Sequence, residues 1–199
     1  SLEHAVQQRT EHIYDGFNRL SSQSYTVGNK TYKQSYTYSD GSSGDGTITQ
    51  MTAGNGEKIT FTYDALKRLT KRTVKNGSTV VMTDNYGYKN KSTSNGTTTT
   101  TGLLETHEVK DKNSTILTGA KYTYDAVGNI TQISRSVSPY YPLVIYTYDS
   151  QNQLTKETHY DGAGTATSNI TKTYEYTYDT AGNILSEKVD GAVKKTYTY

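Results

Sequence analysis

The sequence predicts an all-β protein, a repetitive antiparallel meander of β-hairpins forming one long twisted or curled sheet. Three observations predict it. A phrase made of an aromatic segment ending in Tyr-Asp, a short turn and an aliphatic residue recurs along the whole chain. Tyr-x-Tyr triplets place two rings on one face of an extended strand, because side chains alternate with period two. Helix-forming patterns are almost missing; the one weak candidate, His4 to Glu11, reads as strand or coil.

Measured at its Tyr, the phrase falls at Tyr14, Tyr38, Tyr63, Tyr88, Tyr124, Tyr148, Tyr178 and Tyr199, with intervals of 24, 25, 25, 36, 24, 30 and 21 residues. Each interval holds about two short strands and two turns, too little to bury an apolar face alone, so neighbouring copies must pair. Residues 1–199 therefore read as a single array of about eight repeats, with no linker or composition shift dividing it.

Taken in order, the full copies are Tyr14-Asp15 to Leu20, Tyr63-Asp64 to Leu69, Tyr124-Asp125 to Ile130, Tyr148-Asp149 to Leu154 and Tyr178-Asp179 to Ile184. Copies at Tyr36/Tyr38, Tyr86/Tyr88 and Tyr197/Tyr199 keep the tyrosines without the Asp. Each Asp is expected to accept a hydrogen bond from backbone two residues on. Three residues after it stand Asn18, Lys67, Gly128, Asn152 and Gly182, four of them residues that tolerate a left-handed backbone. Lys67 departs from that rule and should be strained. The aliphatic two residues further on re-enters the sheet beside the Tyr rings.

A second turn chemistry follows eleven to thirteen residues after four of the five motif Asp residues, at Gly28-Asn29, Asn76-Gly77, Asp161-Gly162 and Asp190-Gly191. Two polar insertions lengthen the period, near 91–121 and 162–173. The first contains the run Thr97 to Thr101, and Leu103, Leu104 and Val109 are expected in a longer strand pair around Asn113-Ser114.

Composition excludes several classes. Tyr supplies 20 aromatic residues against two Phe and no Trp, and mean hydropathy is -0.80, so the core must be thin and partly polar. Disorder fits poorly, because Tyr, Thr, Val and Ile abound. A net charge of +2 with the signs interspersed leaves no nucleic-acid footprint and no polybasic membrane patch. The longest apolar run, Leu143-Val144-Ile145, is far too short to span a bilayer. No leader pattern is visible at Ser1, so the expectation is a chain that begins within a longer precursor. Without Cys there is no disulfide, thiol nucleophile or thiolate metal site.

No chemistry-bearing constellation competes with this structural reading. His4, His12, His107 and His159 sit in neither a nucleophile elbow nor a metal-spaced pair. The recurring Asp15, Asp64, Asp125, Asp149 and Asp179 are explained by turn capping rather than paired carboxylates. Asp40 and Asp45 in the segment Ser39 to Gly46 lack the spacing and closing Glu of a calcium loop, leaving a hairpin tip. The Tyr stripes admit one alternative, stacking on sugars at a cell surface.

The phrase Tyr-x-Tyr-Asp-x-x-Gly-Asn-Ile/Leu, closest to form at Tyr122 to Thr131 and Tyr176 to Leu185, resembles the YD-repeat or RHS-repeat family over nearly the whole chain. The resemblance implies an antiparallel sheet spiralling into a hollow shell, as in bacterial toxin complexes, wall-associated and contact-dependent toxins, and teneurins. It implies a non-enzymatic segment of a large secreted or cell-surface bacterial protein, partnered by further repeats and by an enclosed toxin or effector domain. It also implies open strand edges prone to self-association. The Asp-Pro-rich self-cleavage signature of that family has no counterpart, since Pro139 follows Ser138 and Pro142 follows Tyr141. No catalytic, cofactor or metal residue is carried over. The residues expected to matter are structural: Tyr14, Asp15, Leu20, Tyr63, Asp64, Leu69, Tyr124, Asp125, Gly128, Ile130, Tyr148, Asp149, Leu154, Tyr178, Asp179, Gly182 and Ile184.

Overall fold

A computed structural model describes residues 8–39, 46–92, 98–136, 142–162 and 169–199. These contain no helix and fifteen strands. In the first half they are β1 Gln8–Tyr14, β2 Leu20–Val27, β3 Lys30–Tyr38, β4 Ile48–Thr52, β5 Glu57–Tyr63, β6 Leu69–Asn76, β7 Thr79–Ser92 and β8 Thr98–Asp111. There follow β9 Ile116–Tyr124, β10 Ile130–Arg135, β11 Leu143–Tyr148, β12 Leu154–Tyr160, β13 Ile170–Tyr178, β14 Ile184–Val189 and β15 Ala192–Thr196. Hydrogen-bonded order equals sequence order from β1 to β15 in one sheet, with antiparallel pairing. The all-β meander read from the sequence is the fold.

The chain divides into two units, Ser1–Asn85 with Lys110–Thr115, and Tyr86–Val109 with Ile116–Tyr199. In the first, an apolar row crosses the sheet at directly opposed positions, Tyr36 to Met51 to Ile59 to Val74 to Met82. Two residues away the row Phe61, Arg72, Asp84 carries an ion pair, with Arg72 Nε 2.6 Å from a carboxylate that is 3% exposed. In the second unit, Tyr122, Ile133, Val144, His159 and Lys172 stand opposite one another in turn. Such cross-strand pairs are the unit of sheet stabilisation.

The core is as thin as composition requires. Among the described residues Leu143 and Val144 are the buried hydrophobic residues, and Ser22, Thr73, Asp84 and Thr158 the buried polar ones. Along the triplets that end at Tyr38, Tyr63, Tyr124, Tyr148 and Tyr178 the rings are half-buried and Thr37, Thr62, Thr123, Thr147 and Thr177 are exposed. One sheet face therefore collects the aromatic mass while the other meets water.

The second turn series is more varied than expected. Gly28-Asn29 and Asp190-Gly191 are two-residue connections, the latter with φ of 51° and 80°, as a type I′ turn requires. The connection expected at Asn76-Gly77 sits one residue later: Asn76 still pairs with Thr79, leaving Gly77-Ser78 as the turn. Asp161-Gly162 is no tight turn, because the Asp161 amide donates to the Asn169 carbonyl and closes a longer connection. Of the insertion expected at 162–173, Ile170 to Thr173 are already strand. The insertion at 91–121 is mostly the hairpin of β8 and β9, with Leu103, Leu104 and Val109 in β8 as expected.

Candidate functional site

The recurrent site is the junction where one hairpin meets the next. It begins with the turn. Asp15 Oδ1 accepts the amide N–H groups of Phe17 and Arg19 at 2.9 and 3.0 Å. Asp64, Asp149 and Asp179 do the same for Leu66 and Arg68, Gln151 and Gln153, and Ala181 and Asn183. Asp125 accepts three, from Val127, Gly128 and Asn129. Such a carboxylate satisfies donors that would otherwise be left open at the mouth of a hairpin. The position three residues on has positive φ in every copy: Asn18 60°, Lys67 62°, Gly128 101°, Asn152 63° and Gly182 87°.

In four copies the other carboxylate oxygen is held by the fifth turn residue, in two styles. Arg19 and Arg68 grip Asp15 and Asp64 through Nε at 2.7 Å, and Arg19 also lies over the Tyr38 ring at 4.2 Å. Asn129 and Asn183 use their amides at 2.9 Å, and Asn129 reaches on to Asn152 of the next turn. The Arg19 and Arg68 side chains hold the Asp15 and Asp64 carboxyls below their usual range, and the Asn183 amide does so for Asp179. At Asp125 desolvation pushes upward, but hydrogen bonds led by Asn129 outweigh it.

A β-bulge follows. Tyr14, Tyr38, Tyr63, Tyr124, Tyr148 and Tyr178 each pair with the aliphatic across the hairpin mouth: Leu20, Ile48, Leu69, Ile130, Leu154 and Ile184. The next residue of the outgoing strand is then skipped. That extra residue is a Ser or Thr in five of six cases, and in four its hydroxyl donates to the carbonyl before the Tyr. The four are Ser21 to Ile13, Thr49 to Thr37, Thr70 to Thr62 and Thr155 to Thr147, at 3.0 to 3.2 Å. The hydroxyl thus fills the ladder position that a bulge leaves open.

The Tyr then reaches backward. The hydroxyl of Tyr38 donates to the Leu20 carbonyl at 2.9 Å, Tyr63 to Ile48 at 2.9 Å, Tyr124 to Leu104 at 2.6 Å, Tyr148 to Ile130 at 2.8 Å and Tyr178 to Leu154 at 2.7 Å. Every acceptor is the backbone of a Leu or Ile in the preceding strand; four of the five begin that strand, and Leu104 lies within β8. Each of these five Tyr therefore pairs with the aliphatic of its own hairpin and is clamped to a Leu or Ile of the strand before. Desolvation raises the hydroxyls of Tyr63, Tyr124, Tyr148 and Tyr178 above 10.0, which keeps them protonated as donors.

Sequence reasoning found the Tyr, the Asp and the aliphatic, but missed the clamp and the Ser/Thr staple. The staple had a readable signal, Leu or Ile followed by Ser or Thr after five of the six turns. The clamp had none on its acceptor side, since every residue carries a carbonyl. The turn expected at Asn113-Ser114 is present, but its cap was not foreseen: Asp111 Oδ1 accepts from Asn113 and Thr115, with Ser114 at φ 67°. Sequence reasoning also missed the turn Ala53 to Gly56, which closes β4 onto β5. Without a Tyr before it, Asp111 carries no motif.

Other polar groupings stay within the sheet. Tyr176 donates to Glu157 Oε1 at 2.9 Å, and His159 Nε2 lies 3.4 Å from Oε2. Desolvation and this carboxylate push the Tyr176 hydroxyl far up. A groove of about 640 Å³ in the first unit is lined by Tyr25, Tyr32, Gln23, Gln34 and the turn at Gly54. No group of three His, Cys, Asp or Glu among the described residues could hold a metal ion. His4, Asp40, Asp45 and Pro139 lie outside the described residues.

The fold and its junctions define an antiparallel hairpin-repeat array. Residues 43–79 match the family model described as RHS Repeat. No curated protein matches the sequence. Among solved structures, the complex titled TcdB2-TccC3-Cdc42 is similar at TM-score 0.50 and 17% identity, over 96% of this chain and 12% of that one. The Photorhabdus luminescens Tc holotoxin pore with a TccC3 mutation is similar at TM-score 0.50 and 17% identity, over 92% and 11%. At such identity the likeness is one of fold, and this chain spans only about an eighth or less of those it resembles.

Proposed function

We propose that the chain is a non-enzymatic wall segment of a large secreted or surface-exposed bacterial protein, contributing hairpins to a β-shell that encloses or displays a toxin or effector domain. The observation that carries this reading is the five-fold tyrosine clamp. The groups that would have to be free in a catalytic site are spent: five motif hydroxyls on joining hairpin to hairpin, and the motif carboxylates on capping their own turns. The RHS Repeat match and the fold shared with chains of Tc toxin complexes support the toxin-associated setting. Further repeats and the enclosed domain of the same parent protein are the partners this requires. The test is limited proteolysis of the intact parent protein. The domain outside the repeats should resist cleavage until the sheet is opened by denaturant, whereas its cleavage at native rates typical of an exposed linker would overturn enclosure.

A further inference from the structure

Three Asn-Gly pairs occur in the sequence, at Asn55-Gly56, Asn76-Gly77 and Asn95-Gly96, the last outside the described residues. The Asn-Gly bond is chemically weak, because glycine has no Cβ to shield its backbone nitrogen from the side-chain amide carbon before it. The two described pairs stand in opposite situations. At Asn55 both reacting groups are engaged: Oδ1 accepts the Glu57 amide at 3.0 Å, and the Gly56 amide donates to the Ala53 carbonyl at 2.9 Å. At Asn76 neither is. The residue is exposed at the end of β6, and among the described residues neither its side chain nor the Gly77 amide makes a hydrogen bond. Gly77 sits at φ 58° with open space where a Cβ would point. Asn113-Ser114, a related but less reactive pair, is closed by the Ser114 amide, which donates to the Asp111 carbonyl at 3.0 Å.

We propose that Asn76 is a site of spontaneous modification, converted to aspartate and isoaspartate without an enzyme, and that the product loosens β6 from β5. The Gly77 nitrogen gives its proton to water and bonds to Asn76 Cγ, while the Cγ–Nδ2 bond breaks and ammonia leaves. Water then opens the cyclic imide. Attack at the Cγ carbonyl restores the main chain and leaves aspartate; attack at the backbone carbonyl routes the main chain through Cγ and leaves isoaspartate. One water is consumed and one ammonia released, with no oxidant or reductant. The consequence follows from the register, in which Asn76 stands directly opposite Glu57 of β5 and Thr79 of β7. Either product sets a carboxylate opposite Glu57, and like charges directly opposed across antiparallel strands repel. Isoaspartate also adds a methylene to the main chain, which disturbs the pairing with both neighbours. The end of the β5–β6 pair far from the Asp64 turn therefore opens as the molecule ages, whatever the parent protein encloses.

The experiment holds the full chain folded in warm, mildly alkaline buffer and maps its peptides by mass spectrometry over time. Exchange of ammonia for water at Asn76 should outpace that at Asn55 about thirtyfold, the combined weight of the two net hydrogen bonds that Asn55 must break first. In the chain unfolded by urea the two sites should converge. Equal rates in the folded chain, a faster Asn55, or an Asn76 that stays intact while the unfolded chain converts each overturns the site. The consequence is read by amide exchange at Glu57 to Ile59. Asn76→Asp should speed that exchange about threefold over Asn76→Gln, and adding Glu57→Gln should abolish the difference. Equal exchange in Asn76→Asp and Asn76→Gln, or a difference that survives Glu57→Gln, overturns the loosening.

Discussion

Replacing Tyr148 by Phe removes one hydroxyl and nothing else from a clamp. The ring keeps its place against Leu154, and the lost contact is the 2.8 Å donation to the Ile130 carbonyl. A neutral intramolecular hydrogen bond is worth about 1 kcal/mol net, because water replaces it in the open state. The junction is half-buried, so water can reach the abandoned carbonyl and the cost should stay near that value. About 1 kcal/mol is a factor of about five in the opening equilibrium of the hairpin. Global unfolding is a poor readout, since arrays of repeats lose two-state behaviour. Amide exchange of β10 to β12 is the better one and should accelerate about fivefold, while β1 to β5 remain unchanged. Tyr199→Phe is the matched control, because that ring is 75% exposed. If Tyr148→Phe leaves the exchange of β10 to β12 untouched, or if Tyr199→Phe has the same effect, the clamp is a geometric coincidence and the argument for joined hairpins fails.

Four further outcomes are expected. Because Asp15, Asp64 and Asp179 titrate below 3.8 when folded, the unfolded chain binds more protons there. Their stabilising contribution is therefore complete above the unfolded value and disappears as pH falls through the folded one; Asp64→Asn should flatten acid unfolding followed by circular dichroism. Lys67→Gly should stabilise the β5–β6 hairpin by about 0.5 to 1 kcal/mol as read by amide exchange, because Lys67 alone among the five residues that stand three after a motif Asp takes positive φ without being Gly or Asn. A Cβ at Gly87 would come 2.3 Å from Thr106 Oγ1, so Gly87→Ala should destabilise by about 1 to 3 kcal/mol in the same assay. Tyrosine nitration should spare Tyr38, Tyr63, Tyr124, Tyr148 and Tyr178 and modify Tyr25, Tyr32 and Tyr199, with no change when glycans are added; glycan protection of Tyr25 and Tyr32 would favour a sugar-binding groove.

Much of the architecture was legible because the residues responsible are chemically narrow. Few side chains cap a turn as Asp does, and few backbones besides Gly and Asn accept φ near 60°, so both left a mark at fixed spacing. Even Lys67 obeyed the position against its own preference, which shows the turn type prevailing over local propensity. Strand pairing followed from period two. What escaped was whatever depended on the backbone. The hydroxyl of Tyr148 identifies itself, but its acceptor at Ile130 is a carbonyl like any other. The one-residue displacement at Asn76 and the longer connection after Asp161 escaped for a related reason: Asn-Gly and Asp-Gly mark a turn without fixing which residues close it.

An acceptor that every amino acid carries has a consequence for how such a chain can change over time. The joint between neighbours asks for a Tyr on one side and a Leu or Ile on the other, and no matched pair of side chains must alter in concert. A hairpin duplicated, deleted or imported from another gene would find its seat ready. Sequence could then drift everywhere else while the coupling held, which suits a fold that persists at 17% identity.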